Sequence, residues 1–239
     1  MKSILTSSNA SRATLTFICL FASVISFAFS NSAAAAGVAL GATRVIYQQG
    51  TRQASINVTN SDPHDSFLVQ SWVSDEKGNK VPSFVVTPPL FVLKPGKVNI
   101  LRMIYNGPVL PEDKESVFYL NNKAIPSLGK AAPVGNSLQI ATQSVIKLFV
   151  RPAHLTVKPA EAPGMLRCQS EGANVVIFNP SPYFVTLVNV TVAGKKQPNT
   201  MVPPKSSQTI KVTGTSVGAV SYQTLNDYGA VTPALTCKA

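Results

Sequence analysis

The chain has 239 residues, 45% of them hydrophobic, and 21 Lys and Arg against 10 Asp and Glu give a formal charge of +11. That balance permits nucleic-acid binding, but the basic residues are scattered and no RNP-like, zinc-finger or helix-turn-helix pattern accompanies them, so the charge reads as solvated surface. Three cysteines and two histidines supply too few ligands for a metal centre.

The first stretch sets a compartment. Lys2 and Arg12 precede the apolar run "ATLTFICLFASVISFAF", Ala13 to Phe29, and "SNSAAAAG" follows. A basic start, an apolar middle and an Ala-rich exit predict a cleaved secretory signal peptide over residues 1–36. An uncleaved anchor is the alternative; the run's 17 residues are marginal for spanning a bilayer. Cleavage removes Lys2 and Arg12, lowering the charge to about +9, and it removes Cys19. Cys168 and Cys237 remain, and in an exported chain the simplest inference is one disulfide.

Beyond Gly37, β-branched and aromatic runs alternate with Gly, Pro, Asn and Asp. "ATRVIY", "ASINVTN", "FLVQSWV", "SFVVTP", "VNILRMIY", "SVFYLN" and "LQIATQSVIKLFV" predict seven strands of an antiparallel β-sandwich. "DEKGNK" and "KPGK" are turn signals, and Pro95-Gly96 suits a type II turn. The pair Pro88-Pro89 marks a corner that suits a cis peptide bond. "RPAHLTVKPAEAPG", Arg151 to Gly164, is a proline-rich connection, after which "NVVIFNP", "FVTLVNVTV", "QTIKVTG", "AVSYQTL" and "ALTCKA" form a second all-β unit. The expected domains are 37–155 and 156–239, unlike one another as sequences. A Cys168–Cys237 bond would tie the last strand of the second domain to an early one.

The strand predicted over Leu138 to Val150 is long for a sandwich. Its side chains alternate between faces. Leu138, Ile140, Thr142, Ser144, Ile146 and Leu148 share one face; Gln139, Ala141, Gln143, Val145, Lys147 and Phe149 share the other. Its first half would offer free backbone groups to another chain if it lay at a sheet edge. Lys147 stands among five apolar neighbours, and burying an unpaired ammonium costs several kcal/mol or more, so the position calls for a reason. An enzymatic reading finds little support. His64 lies in the polar loop "SDPHDS", His154 follows the proline-rich boundary, and no GxSxG, HExxH or glycine-rich phosphate loop is present. Both histidines read as solvent-facing.

Seven stretches in order, "GVALGATRVIY", "FLVQSWV", "VTPPLFVLKPG", "LPEDKESVFYLNNKAIP", "LQIATQSVIKLFVRP", "NPSPYFVTL" and "LNDYGAVTP", resemble the PapD-like periplasmic pilus chaperones, especially those of type 1-like fimbriae. The resemblance spans residues 37 to 239. It implies an all-β fold of two immunoglobulin-like sandwiches in an L or boomerang, with a cleft between them. Carried over by motif, Arg44 and Lys147 would anchor the terminal carboxylate of a pilus subunit. Leu138, Ile140 and Thr142 would fill the groove of a subunit that lacks its own last strand. Thr142 departs from the apolar residue common there. From the residues alone, Arg44 is also readable as a surface arginine, Lys147 as a snorkelling side chain, and Leu138 and Ile140 as parts of this domain's own core. Glu115, Arg151 and Asp227 match an interdomain charge network. The short loop "PSLGKAAPVGN", Pro126 to Asn136, and the absence of a cysteine pair in the first domain match the short-loop branch.

The resemblance further implies a periplasmic, non-enzymatic chaperone without cofactor or metal. Its partners would be pilus subunits, an adhesin and an outer-membrane usher, with no nucleic acid and no membrane after signal cleavage. The rival reading is a structural or adhesive β-sandwich component of the pilus itself.

Overall fold

A computed structural model of the chain describes residues 37–127, 139–172, 174–212 and 218–237. The predicted signal peptide, most of the loop 126–136, and Leu138 lie outside the described residues. The first sandwich contains β1 (Val38–Leu40), β2 (Arg44–Gln48), β3 (Ala54–Asn60), β4 (Phe67–Ser74), β5 (Phe84–Thr87), β6 (Leu90–Leu93), β7 (Val98–Tyr105), β8 (Ser116–Pro126) and β9 (Thr142–Arg151). The second contains β10 (Arg167–Glu171), β11 (Asn174–Asn179), β12 (Val185–Val192), β13 (Lys195–Lys196), β14 (Thr200–Val202), β15 (Ser206–Lys211), β16 (Val220–Thr224) and β17 (Leu235–Thr236). A single 3-10 turn, Ala162–Met165, precedes β10.

Period-two burial builds both sandwiches. In β7, Leu101 and Met103 are buried while Ile100, Arg102 and Ile104 face out. The first sandwich packs the sheet β1-β3-β7-β5 on the sheet β2-β9-β8-β4-β6. Val58, Val69, Leu101, Met103, Leu120 and Leu148 fill its centre at zero exposure. The second packs β10-β11-β15 on a sheet centred on β12, whose neighbours are β13, β14 and β16, with β17 beyond β16. Leu166, Val175, Ile177, Leu187 and Val190 close that core. Cys168 on β10 and Cys237 just after β17 form a disulfide with Cα atoms 5.7 Å apart, joining an edge of one sheet to an edge of the other.

Two sequence expectations need correction. The sandwich is not wholly antiparallel. The chain changes sheets at Gly41–Thr43, so β1 pairs with β3 while β2 runs parallel to β9. The long strand is also shorter than its pattern suggests. It begins at Thr142, and Gln139–Ala141 have no strand pairing. The reason lies in its neighbour: the last rung between the two strands is Ala124↔Thr142, and β8 finishes against β4 alone at Pro126, which has no N–H to offer. The cis bond is Thr87–Pro88, just ahead of the proline pair rather than within it. At the predicted turn Gly96 takes φ +62°, and Lys97 N–H bonds to the Lys94 carbonyl.

The sandwiches share a device that their sequences do not advertise. Asn60 ends β3 and Asn179 ends β11, both fully buried. Asn60 Nδ2 donates to the carbonyls of Asp65, Leu93 and Lys94. Asn179 Nδ2 donates to those of Tyr183, Val202 and Pro203, at 2.7, 3.2 and 3.0 Å. Each amide oxygen accepts a backbone N–H two residues on, from Asp62 and Ser181. One side chain thus satisfies turn carbonyls that would otherwise be buried unpaired. Asn179→Ala strands those carbonyls together, and denaturant unfolding should show a loss of about 2–4 kcal/mol.

Candidate cleft and strand-edge site

Strand β9 is covered unequally on its two sides. Strand β8 pairs with it from Thr142 to Val150. Strand β2 pairs only with its last part, from Arg44↔Lys147 to Gln48↔Arg151. Among the described residues, Thr142 to Ile146 therefore have a neighbour on one side and an open edge on the other. Val145 on this segment is 52% exposed, and Ile140 just before it is 66% exposed. Ile140 is thus not part of its own domain's core. Thr142 is exposed on the same approach. Ile146 packs against the core, and Gln143 Nε2 is held by Asn121 Oδ1 at 3.0 Å.

The open edge stops at two cations. Arg44 begins β2 and is the register partner of Lys147, so both side chains leave the same face of the sheet. Lys147 is half-buried and has no ion-pair or hydrogen-bond partner among the described residues. Burial, and then the nearby Arg44 charge, holds its pKa below the ordinary lysine value. Burial also lowers Arg44, against the opposing pull of Asp227 and Glu115. The Arg44 guanidinium lies 6.0 Å from the centre of the Phe149 ring, and its Nη1 donates to the Leu225 carbonyl at 3.4 Å. Its Nε is buried without an acceptor. Two neighbouring positive groups with no carboxylate partner among the described residues can together receive an anion.

The nearby acids are already engaged. Arg151 Nε donates to Glu115 Oε1 at 2.7 Å, while its two terminal nitrogens grip Asp227 at 2.7 and 2.8 Å. Glu115 is buried, and its second oxygen accepts the Phe184 N–H at 2.9 Å. Burial works against the charge on Arg151, but hydrogen bonds and attraction from Asp227 and Glu115 prevail and raise its pKa. Burial pushes the Glu115 carboxyl up, with Arg151 opposing. Because Glu115 comes from the first sandwich and Asp227 from the second, Arg151 ties the two together.

Other contacts at this junction had no obvious sequence signal. Phe149 and Phe184 meet across it with centroids 5.7 Å apart. Gly229, at φ +80°, lies close against Thr43 Oγ1, and the left-handed backbone there favours glycine where this turn seats on the start of the first sandwich. Lys205 and Asp113 form an exposed pair at 2.6 Å, a geometry that contributes little in water. A charged residue on a turn carries no mark of its partner. Phe149 was readable only as a strand residue two positions beyond Lys147. His64 and His154 are both exposed and lie apart from this site.

Residues 37–156 match the family model described as "Pili and flagellar-assembly chaperone, PapD N-terminal domain", and residues 161–235 match "Pili assembly chaperone PapD, C-terminal domain". The chain belongs to this family. It is 46% identical over 200 residues to the chaperone protein FocC of Escherichia coli, covering 82% of this chain and 88% of that protein. It is 42% identical over 221 residues to the chaperone protein FimC of Escherichia coli K12, covering 91% and 92%. Its fold matches the periplasmic chaperone SfaE with a TM-score of 0.75 at 43% identity, over 85% of this chain and all of that one. A structure of the Salmonella enterica SafA pilin in complex with the SafB chaperone matches with a TM-score of 0.78 at 30% identity, over 87% and 99%. The protein is a pilus-assembly chaperone, and the reading as a pilus component is set aside.

Replacing Arg151 with Ala leaves Glu115 buried without its counter-charge. Unfolding free energy should fall by about 3–5 kcal/mol, and small-angle scattering should show a wider spread of domain orientations.

Proposed function

We propose that this chaperone acts in the periplasm by capturing pilus subunits, the adhesin among them, at the open edge of β9, and by holding their last carboxylate on Arg44 and Lys147. The observation that carries this reading is an edge left free from Thr142 to Ile146 and closed at its end by two cations without a carboxylate of their own.

The geometry favours one direction of binding. An incoming strand on that edge lies in line with β2, and its leading end comes to rest at Arg44. If the strand runs parallel to β9, as β2 does, that end is a carboxylate and is attracted. If it runs antiparallel, the end is an ammonium and two like charges oppose it. Backbone hydrogen bonds along the edge supply affinity without regard to sequence, and the anchored terminus sets the register. Ile140, with Leu138 and Thr142 on the same alternation, then offers side chains to the groove where the subunit lacks a strand. This is donor-strand complementation, the known form of strand addition between chaperones and pilins. The capped subunit passes to an outer-membrane usher, where the next subunit replaces the chaperone strand. Residues 37–155 do the capturing in this scheme, and 156–239 form the second wall of the cleft.

Amidating a subunit's C-terminus removes the charge that the anchor recognises. Binding should weaken by about tenfold to a hundredfold in isothermal titration, the loss expected for charge-assisted hydrogen bonds. Equal affinity would overturn the anchor.

Lys147 should also give binding an alkaline limit. Burial and Arg44 lower its pKa in the free chaperone, whereas a bound carboxylate favours the charged form. Binding must therefore take up a proton once pH exceeds the lowered value. Affinity should be full at neutral pH and fall as pH rises through that value, below the ordinary 10.5 of lysine. Lys147→Arg should remove this decline, which titrations across the alkaline range would reveal.

A further inference from the structure

A cavity of about 510 Å³ lies between the two sandwiches. Arg44 is in its wall, and Lys147 is not among the residues that line it. The Arg44 guanidinium thus borders both the carboxylate position beside Lys147 and this second space. Phe149, Tyr183, Phe184 and Leu225 give the cavity a largely apolar and aromatic wall drawn from both domains. Of its charged lining residues, Glu115 and Asp227 are tied to Arg151, and Lys158 is exposed to solvent, so the acids are not free to receive a charged guest and the cation is already hydrated. Arg44 Nε, buried and without an acceptor, borders the same region.

We propose that this cavity is a specificity pocket for the side chain of the subunit's last residue, and that it favours a bulky aromatic or aliphatic group there. The inference rests on the carboxylate anchor proposed above. A carboxylate held on Arg44 brings its own Cα and side chain with it, beside the guanidinium that lines the cavity. Along the edge, backbone pairing with β9 accepts any sequence, and the groove-filling residues belong to the chaperone. The terminal side chain is the one part of the incoming strand placed next to a shaped, largely apolar space. A chaperone built this way reads the identity of the last residue, as well as the existence of a free terminus. Filling a pocket of this kind discriminates between side chains by about tenfold or more, while a Gly terminus leaves the walls unpartnered.

The test uses the mature protein and fluorescent peptides of alternating Val and Thr, identical except for the last residue: Phe, Leu, Gly or Asp, each as free acid and as amide. The Phe and Leu acids should bind about tenfold tighter than the Gly or Asp acids, and every acid should exceed its amide. Ala160 lines the cavity and is exposed, so Ala160→Trp obstructs the space without touching the core. That variant should lose the preference for Phe over Gly and keep the difference between acid and amide. Tyr228→Ala, at a lining residue 91% exposed, should weaken the preference in the same way. If acids exceed amides but the last residue makes no difference, or if Ala160→Trp leaves the preference intact, the pocket is overturned and the anchor stands. If acids and amides bind alike, or no peptide binds, the anchor falls and the pocket with it.

Discussion

Everything at this site depends on where β2 begins. It covers β9 for five rungs, from Lys147 to Arg151, and begins at Arg44. Had β2 started five residues earlier it would have sealed the edge, leaving an ordinary sandwich with nothing to offer. The short parallel pairing is a consequence of the chain changing sheets at Gly41–Thr43, since the residues before that point are committed to β3. An exposed strand edge is usually a liability that proteins blunt with charge or cover with other elements. Here the charge is placed at the end of the free segment rather than along it. In the proposed mode of binding, the two cations disfavour random edge pairing and favour a strand that brings its own terminal carboxylate.

The local charge balance explains why the cations stay available. Three positive groups, Arg44, Lys147 and Arg151, stand near two carboxylates. Arg151 takes both by hydrogen bonds, and Arg44 receives only their longer-range attraction. Burial then makes the protonated form of Lys147 a cost to the fold. A lysine with a folded pKa below its unfolded value lowers stability at neutral pH; the cost shrinks as pH rises through the lowered value and is gone above the ordinary 10.5. Such a residue persists where binding repays what folding loses. The charges paired within the fold and those proposed to meet a subunit are thus separate sets, although they lie within one junction.

Much of this was legible beforehand, for different reasons at different places. Strands β3 and β7 were read with their full bounds because alternation of buried and exposed residues continues to their ends. Strand β10 was not, since "RCQSE" has almost no apolar residue and is held as a sheet edge beside β11 and by the disulfide. Arg44, Lys147, Glu115, Arg151 and Asp227 could be listed by motif, and the fold brings the first two together and the last three together. The resemblance implied an exposed edge on the long strand, but not its extent, which depends on which strand lies beside β9 and where that strand begins. Alternation over Leu138 to Val150 likewise marks side-chain faces but says nothing of whether a partner strand exists to pair with them. The matched asparagines Asn60 and Asn179 sat in plain view, yet their equivalence lies in position at a strand end, surrounded by different residues.

The need for a second sandwich follows from the same geometry. The open edge of β9 and both cations belong to the first domain, so strand pairing along that edge alone would not require a second. Yet Arg44 is not positioned by its own domain only. Its Nη1 bonds to Leu225, and Gly229 of the following turn seats against Thr43, one residue away from it. The Phe149 ring that Arg44 overlies packs in turn on Phe184. A long, flexible guanidinium loses entropy when it is fixed, and that loss otherwise falls on the binding step. By holding Arg44 in the free protein, the second domain would move part of that cost out of the proposed binding step and into folding, and the Arg151 network ties together the junction in which Arg44 is held.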